Sequence, residues 1–191
     1  MIWLLPFILL GLMIPVRTQA SEDGTDGPIF GPFRPETLFG PFEYENPNAS
    51  KNRFDALFMK YGGLYGINAK ILKSIAIQES SLNPNAKALT SSATGLMQVT
   101  KAAAQDVGEI WENQRHPETA IRTGAKYLRL QMDTYNFTIE QAIEAYYAGA
   151  GTIIKGDLGE AFTLPWQAGA YLFAKNVYRP KVLTRAQSLT V

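Results

Sequence analysis

Glu79 is the residue of this chain best placed to move a proton. It extends an apolar helical stripe of Leu72, Ile75 and Ala76, standing four residues after Ile75 and seven after Leu72. A helix there carries it on the greasy face rather than the wet one. A carboxyl held against apolar side chains has its charged form disfavoured and its pKa raised, as a general acid at neutral pH requires. A loop rich in turn-forming and hydrogen-bonding residues follows, with Asn83-Pro84-Asn85 and Ser91-Ser92-Ala93-Thr94-Gly95. It ends in Gly95-Leu96-Met97-Gln98, where the Gln98 amide offers both a donor and an acceptor. An acid at the end of an apolar helix, facing such a loop, has the makings of an acid/base site; on these residues alone the alternative is a helix-end glutamate on a solvated face.

Other chemistries are curtailed by composition. The sequence holds no cysteine and one histidine, His116. Thiol nucleophiles, disulfides, thiolate metal sites and multi-histidine metal sites are therefore excluded, and no metal or cofactor is expected. His116 precedes Pro117 at a helix start and reads as a surface residue, not a ligand. Proton transfer falls to carboxylates. Glu144 is the other candidate for a catalytic pair, but its place in a helix reads as a solvated face. A net charge of +1 excludes the electrostatic footprint of a nucleic-acid binder.

The elements that must position Glu79 are helical. Phe54, Leu57, Phe58 and Tyr61 recur at helical spacing, and Gly62-Gly63 should end that helix. Asn68 is a good N-cap for a helix over roughly Ala69 to Ser80. Thr100 caps a short one reaching Val107. Pro117 opens a helix running to about Tyr135. Asn136 or Thr138 caps another through Tyr147, broken at Gly149-Ala150-Gly151. Leu164-Pro165-Trp166 leads into a last helix ending at Tyr178. No sustained alternation of apolar and polar residues appears. The fold class is all-α or nearly so, with room for a small β-hairpin in the loop between Asn83 and Gly95.

Two segments precede this domain. Met1 to Ala20 contains the apolar run Ile2–Ile14, too short to span a bilayer comfortably, then Thr18-Gln19-Ala20, a small-x-small pattern. It reads as a signal peptide, which implies a periplasmic or secreted protein with no stable membrane anchor after cleavage. Residues 21–52 repeat Gly-Pro at 27, 31 and 40, each with a phenylalanine close behind: Phe30, Phe33 and Phe42. Proline at this density forbids helix. The segment reads as an extended linker whose aromatics could dock on a groove of this domain or of a partner. The globular domain then covers residues 53–191.

Four blocks carry a family resemblance. Gln78-Glu79-Ser80, Gly95-Leu96-Met97-Gln98, Gly124-Ala125-Lys126-Tyr127-Leu128 and Ala145-Tyr146-Tyr147-Ala148-Gly149 follow in the order and spacing of the soluble lytic transglycosylase domain. That family has a lysozyme-like fold related to goose-type lysozymes, and the resemblance covers roughly Phe54 to Tyr178. It implies cleavage of the bond between N-acetylmuramic acid and N-acetylglucosamine in peptidoglycan, leaving a 1,6-anhydro end.

The resemblance also implies site residues. Glu79 matches the single catalytic acid. Ser80 would hold the geometry of the site, with Ser81 behind it as a polar helix end. Gln98 would bind a sugar N-acetyl group, Gly95 would let the backbone approach the saccharide, and Met97 would stand beside them; Leu96 reads as core. Tyr146 would line the cleft. Tyr147 stands where the family usually has asparagine, exchanging an amide for a face that can stack on a sugar. Tyr171 aligns with a late tyrosine that hydrogen-bonds the catalytic glutamate, although Gln167 and Gly169 replace a glutamate and an arginine around it. Peptidoglycan strands are the expected substrate; small secreted transglycosylases of this kind often resemble those that serve secretion, conjugation or flagellar machines, so the resemblance offers such a machine as a candidate partner. The alternatives are a hydrolysing muramidase of the same fold and a non-catalytic wall-binding or scaffold protein.

Overall fold

Helix α1 (Asp55–Tyr65) does not stop at Gly62-Gly63 as its sequence suggests; it runs through both glycines and ends at Gly66. In this computed structural model, which describes residues 52–191, tertiary packing overrides the roughly 1 kcal/mol that a glycine costs in a helix. Gly62 is buried where the chain turns back, and a Cβ there would stand 2.6 Å from the Ile67 carbonyl oxygen. The leader and almost all of the Gly-Pro-Phe segment lie outside the described residues.

Asn68 starts α2 (Ala69–Ser80), its side chain accepting from the Lys70 N–H at 2.9 Å. Leu72, Ile75 and Ala76 are fully buried, so the helix turns inward the face that its spacing indicated. Next come α3 (Lys101–Asp106), capped by Thr100, and α4 (Pro117–Tyr135), with its proline in the first turn. A reciprocal Thr138–Gln141 capping box opens α5 (Ile139–Ala148). The break at Gly149 is a single-residue corner, from which α6 (Ala150–Asp157) leaves at once. The loop between α2 and α3 holds two isolated antiparallel bridges, Lys87 with Thr94 and Thr94 with Val99; among the described residues there is no strand.

The C-terminal part is longer than the sequence suggests. Helix α7 (Pro165–Phe173) passes through a π-helical turn (Ala174–Tyr178) into α8 (Arg179–Ser188). The sequence suggests an end at Tyr178 for this last helix, whereas the chain stays helical to Ser188. Pro180 sits in the first turn of α8, directly after the π-turn, where a proline is tolerated. Helix α8 then packs along α2, which also meets α1 and α4. Lys73, buried to 1% exposure, ties these elements together: its ammonium pairs with Asp55 at 2.7 Å and donates to the Thr190 carbonyl at 2.9 Å. The acid-bearing helix is thus clamped along its length, and Glu79 occupies its last turn.

Candidate active site

Glu79 is partly buried, and its carboxylate accepts a short hydrogen bond from the hydroxyl of Tyr178, itself 1% exposed. Loss of water raises the Glu79 pKa to about 7; the Tyr178 hydrogen bond opposes this by favouring the carboxylate. Tyr146 and Tyr147 also feel the carboxyl. Their phenol pKa values are raised first by burial and then by the Glu79 charge. The acid is therefore poised near neutrality in a nest of phenols, from α5 and from the π-turn.

Tyr178→Phe should move the Glu79 midpoint upward, because a hydrogen bond that favours the charged form is removed. It should lower turnover by about tenfold, since the conjugate base loses its donor. A pH–rate profile of the variant, compared with wild type, measures both effects. An unmoved alkaline limb would show that Tyr178 does not influence the acid.

The loop opposite is held by backbone contacts. Ser80 is 5% exposed; its hydroxyl donates to the Leu96 carbonyl at 2.7 Å, with the Ala76 carbonyl at 3.1 Å as second acceptor, and accepts from the Asn83 N–H at 3.2 Å. It staples the acid's helix to the loop from a buried position. Gly95 has φ +77°, and a Cβ there would lie 1.8 Å from the Gln114 carbonyl oxygen. What approaches this glycine is protein backbone, not the saccharide expected there. Met97 is fully buried, its side chain lying against Gly124 of α4, so it is core rather than a substrate contact. Its carbonyl accepts from the Tyr146 hydroxyl at 2.8 Å and so joins the loop to α5.

Gln98 adopts φ +46°, and its side-chain nitrogen donates to the Gly95 carbonyl at 2.9 Å and the Ala86 carbonyl at 3.2 Å. Two carbonyl acceptors fix the amide's orientation and occupy both of its hydrogens. Only its oxygen is left to meet a ligand, as an acceptor, instead of the donor-and-acceptor pair the sequence suggests.

Three expectations about the far wall are corrected. Tyr147 is 9% exposed and packs on Phe173 at 4.9 Å and Tyr178 at 5.1 Å between ring centroids. It backs the Tyr178 ring instead of offering an open stacking face. Tyr171 does not reach Glu79. Its ring covers Gly156 and its hydroxyl donates to Asp157 at 2.9 Å. The tyrosine on the acid is Tyr178, one that spacing alone assigned to the end of a helix. Glu144 is not on a solvated face: it is fully buried and paired with Arg179 and Lys175. Tyr146 does stand beside Glu79, edge-on to Tyr127 at 5.8 Å.

Comparison with known proteins places this geometry in a family. The profile described as Transglycosylase SLT domain matches residues 56–161, more than half of the chain. A membrane-bound lytic murein transglycosylase F of Aliivibrio fischeri is 40% identical over 77 residues, covering 40% of this chain and 14% of that protein. The protein of the same name from Yersinia pestis is 32% identical over 157 residues, covering 76% and 31%. The 70 kDa soluble lytic transglycosylase of Escherichia coli superposes with a TM-score of 0.57 at 24% identity, over 71% of this chain and 24% of that one, which shows a shared lysozyme-like fold. The chain thus spans less than a third of the length of these relatives. The profile match ends before α7, so Tyr178 lies beyond it. By the match over residues 56–161, this chain belongs to the Transglycosylase SLT domain family.

Proposed function

We propose that the chain is a peptidoglycan lytic transglycosylase with Glu79 as its single general acid and base. The observation that carries this reading is one partly buried carboxyl with a pKa raised to about 7, hydrogen-bonded by Tyr178. A protonated Glu79 gives its proton to the oxygen linking N-acetylmuramic acid to N-acetylglucosamine, and the bond from that oxygen to the muramyl anomeric carbon breaks. The resulting carboxylate, steadied by Tyr178, takes the proton from the muramyl 6-hydroxyl. That oxygen bonds to the anomeric carbon, closes the 1,6-anhydro ring and leaves Glu79 protonated again. No water enters. An internal hydroxyl has a high effective concentration, so a second carboxylate is not needed to activate a nucleophile. Tyr146 and the free oxygen of Gln98 face the saccharide in this reading.

Digestion of purified sacculi followed by mass spectrometry tests the reading. Muropeptides one water lighter than their reducing-end counterparts are expected. Reducing N-acetylmuramic acid ends would instead mark a hydrolysing muramidase, and intact sacculi a non-catalytic wall-binding protein. We further read residues 1–20 as a signal peptide to the periplasm or exterior. Residues 21–52 we read as a tether carrying the 53–191 catalytic domain to an envelope-spanning machine that needs a local gap in the wall. Deleting residues 26–45 should then abolish co-purification with that machinery while leaving sacculus digestion intact; unchanged co-purification would remove the tether from the proposal.

A further inference from the structure

Glu144 has no part in the proton transfers above, yet it is the carboxylate most fully withdrawn from water among the described residues. Its two cationic partners flank the tyrosine that meets Glu79. Arg179, one residue after Tyr178, lies 2.5 Å from one carboxylate oxygen, and Lys175, three residues before it, lies 3.4 Å from the other. Lys175 also pairs with Asp157 at 2.7 Å. Asp157 in turn accepts from Gln141 at 3.0 Å and from Tyr171 at 2.9 Å. Charged side chains of α5 and α6 therefore converge on the π-turn from one side. On the same helix as Glu144, one turn further on, Tyr147 packs its ring against that of Tyr178.

A π-turn is a poor structure by itself; its register must be set from outside. Shifting the turn back to α-helical winding would rotate Tyr178 away from α2 and carry Arg179 with it. In the observed register the buried carboxylate, which has lost its water, is compensated by the Arg179 hydrogen bond on one oxygen and the Lys175 charge near the other. We infer that Glu144 is a positioning residue: its ion pairs with Arg179 and Lys175 hold the π-turn in the register that delivers the Tyr178 hydroxyl to Glu79. The inference rests on the reading of Glu79 as the acid, but the contact it explains can be measured without catalysis.

The sign of one titration separates positioning from a simple field effect. The groups facing the Glu79 carboxyl are the phenols of Tyr146 and Tyr147 from α5 and of Tyr178 from the π-turn. Removing the negative charge of Glu144 would, through space alone, lower the Glu79 midpoint. Losing the Tyr178 hydrogen bond raises it. The Glu79 carboxyl is to be followed by carbon-13 NMR from pH 4 to 9 in wild type, Glu144→Gln, Arg179→Lys, Tyr178→Phe and the double variant Glu144→Gln/Tyr178→Phe, with Glu79→Gln providing the assignment. Arg179→Lys keeps the charge and the fold while forfeiting the planar fork of the guanidinium. The expected result is an upward move of about one pH unit in both single anchor variants, as in Tyr178→Phe, and no further move in the double variant. A midpoint that stays or falls in a folded anchor variant, or a shift that adds to that of Tyr178→Phe, overturns the inference. Turnover on sacculi should fall severalfold in Glu144→Gln at unchanged KM. If wild type fails to cleave sacculi the proposed function is lost, while the NMR titration still decides whether Glu144 positions Tyr178.

Discussion

Glu79→Gln is expected to lower sacculus digestion by about 10³-fold while leaving peptidoglycan binding within about twofold, the scale of general acid–base catalysis removed from an otherwise intact cleft. The glutamine keeps the shape of the side chain and its capacity to meet the Tyr178 hydroxyl, but it neither releases nor recovers a proton. Single-turnover release of muropeptides, with binding measured separately by pull-down on sacculi, checks both halves. Equal digestion by variant and wild type would remove Glu79 from the chemistry altogether.

The same substitution should raise stability, and only above a certain pH. Glu79 has a folded-state pKa of about 7 against 4.5 for the ordinary carboxyl. The folded state therefore binds the proton more tightly than the unfolded chain does. Stability is lost as pH rises from about 4.5 to about 7, by on the order of 3 kcal/mol when both pKa values have been passed. Glutamine carries no such penalty. Glu79→Gln should melt with wild type at pH 4 and several degrees above it at pH 8. A variant equally stable, or less stable, at both values would mean that the carboxyl is not held protonated by burial. For the enzyme as proposed, the alkaline limb of activity lies near pH 7 for the same reason: above it the acid has lost the proton it must give.

Gly95→Ala carries the second large effect, on both stability and activity. The backbone at residue 95 has φ +77°, and the added Cβ would stand 1.8 Å from the Gln114 carbonyl oxygen and 2.8 Å from its carbon. Neither atom can swing aside, since both are main chain. The left-handed backbone adds roughly 1–2 kcal/mol of strain for alanine, and relieving the overlap adds a comparable amount or more, about 3–4 kcal/mol together. The loop must move, and its contacts converge on the site. Gly95 donates to the Ala86 carbonyl at 2.8 Å and accepts from the Gln98 amide nitrogen at 2.9 Å. The next residues are Leu96, bonded to Ser80, and Met97, bonded to Tyr146. Thermal unfolding should fall by about 10 °C and turnover by at least tenfold. Gly108→Ala is the control: φ there is +68° and nothing lies within 4 Å of the added Cβ, so only the backbone strain remains. Equal losses in the two variants would show that the Gln114 contact does not matter.

Local patterns carried most of the helix assignments. The Asn68 cap, the inward face of Leu72 and Ile75, Pro117 in a first turn and the Thr138 cap each depend on residues within one or two turns, and the structure has each of them. The departures occur where a close backbone approach, an irregular turn or a distant partner decides the outcome. Gly62 and Gly63 look like a stop signal, but the chain returning at Ile67 makes a glycine at 62 a packing requirement inside the helix. The last helix, read as ending at Tyr178, continues through a π-turn into a further helix. Glu144 looks like a surface residue because its cationic partners, Lys175 and Arg179, lie 31 and 35 residues further along the chain.

For the site, the sequence by itself determined which residue could hold a proton. One acid sits on an apolar helical face, in a chain with no cysteine and one histidine, followed by the blocks that mark its family. Only the tertiary structure decided what surrounds that acid. It turned Ser80, Gly95 and Met97 inward as structural contacts, left Gln98 its oxygen alone, and made Tyr147 a backing for another ring. It also put Tyr178 where Tyr171 was expected. The physical reason is separation along the chain. Helical spacing reports neighbours within a few residues, whereas the partner of Glu79 is 99 residues away, on an irregular turn whose flanking cations pair with a carboxylate of another helix.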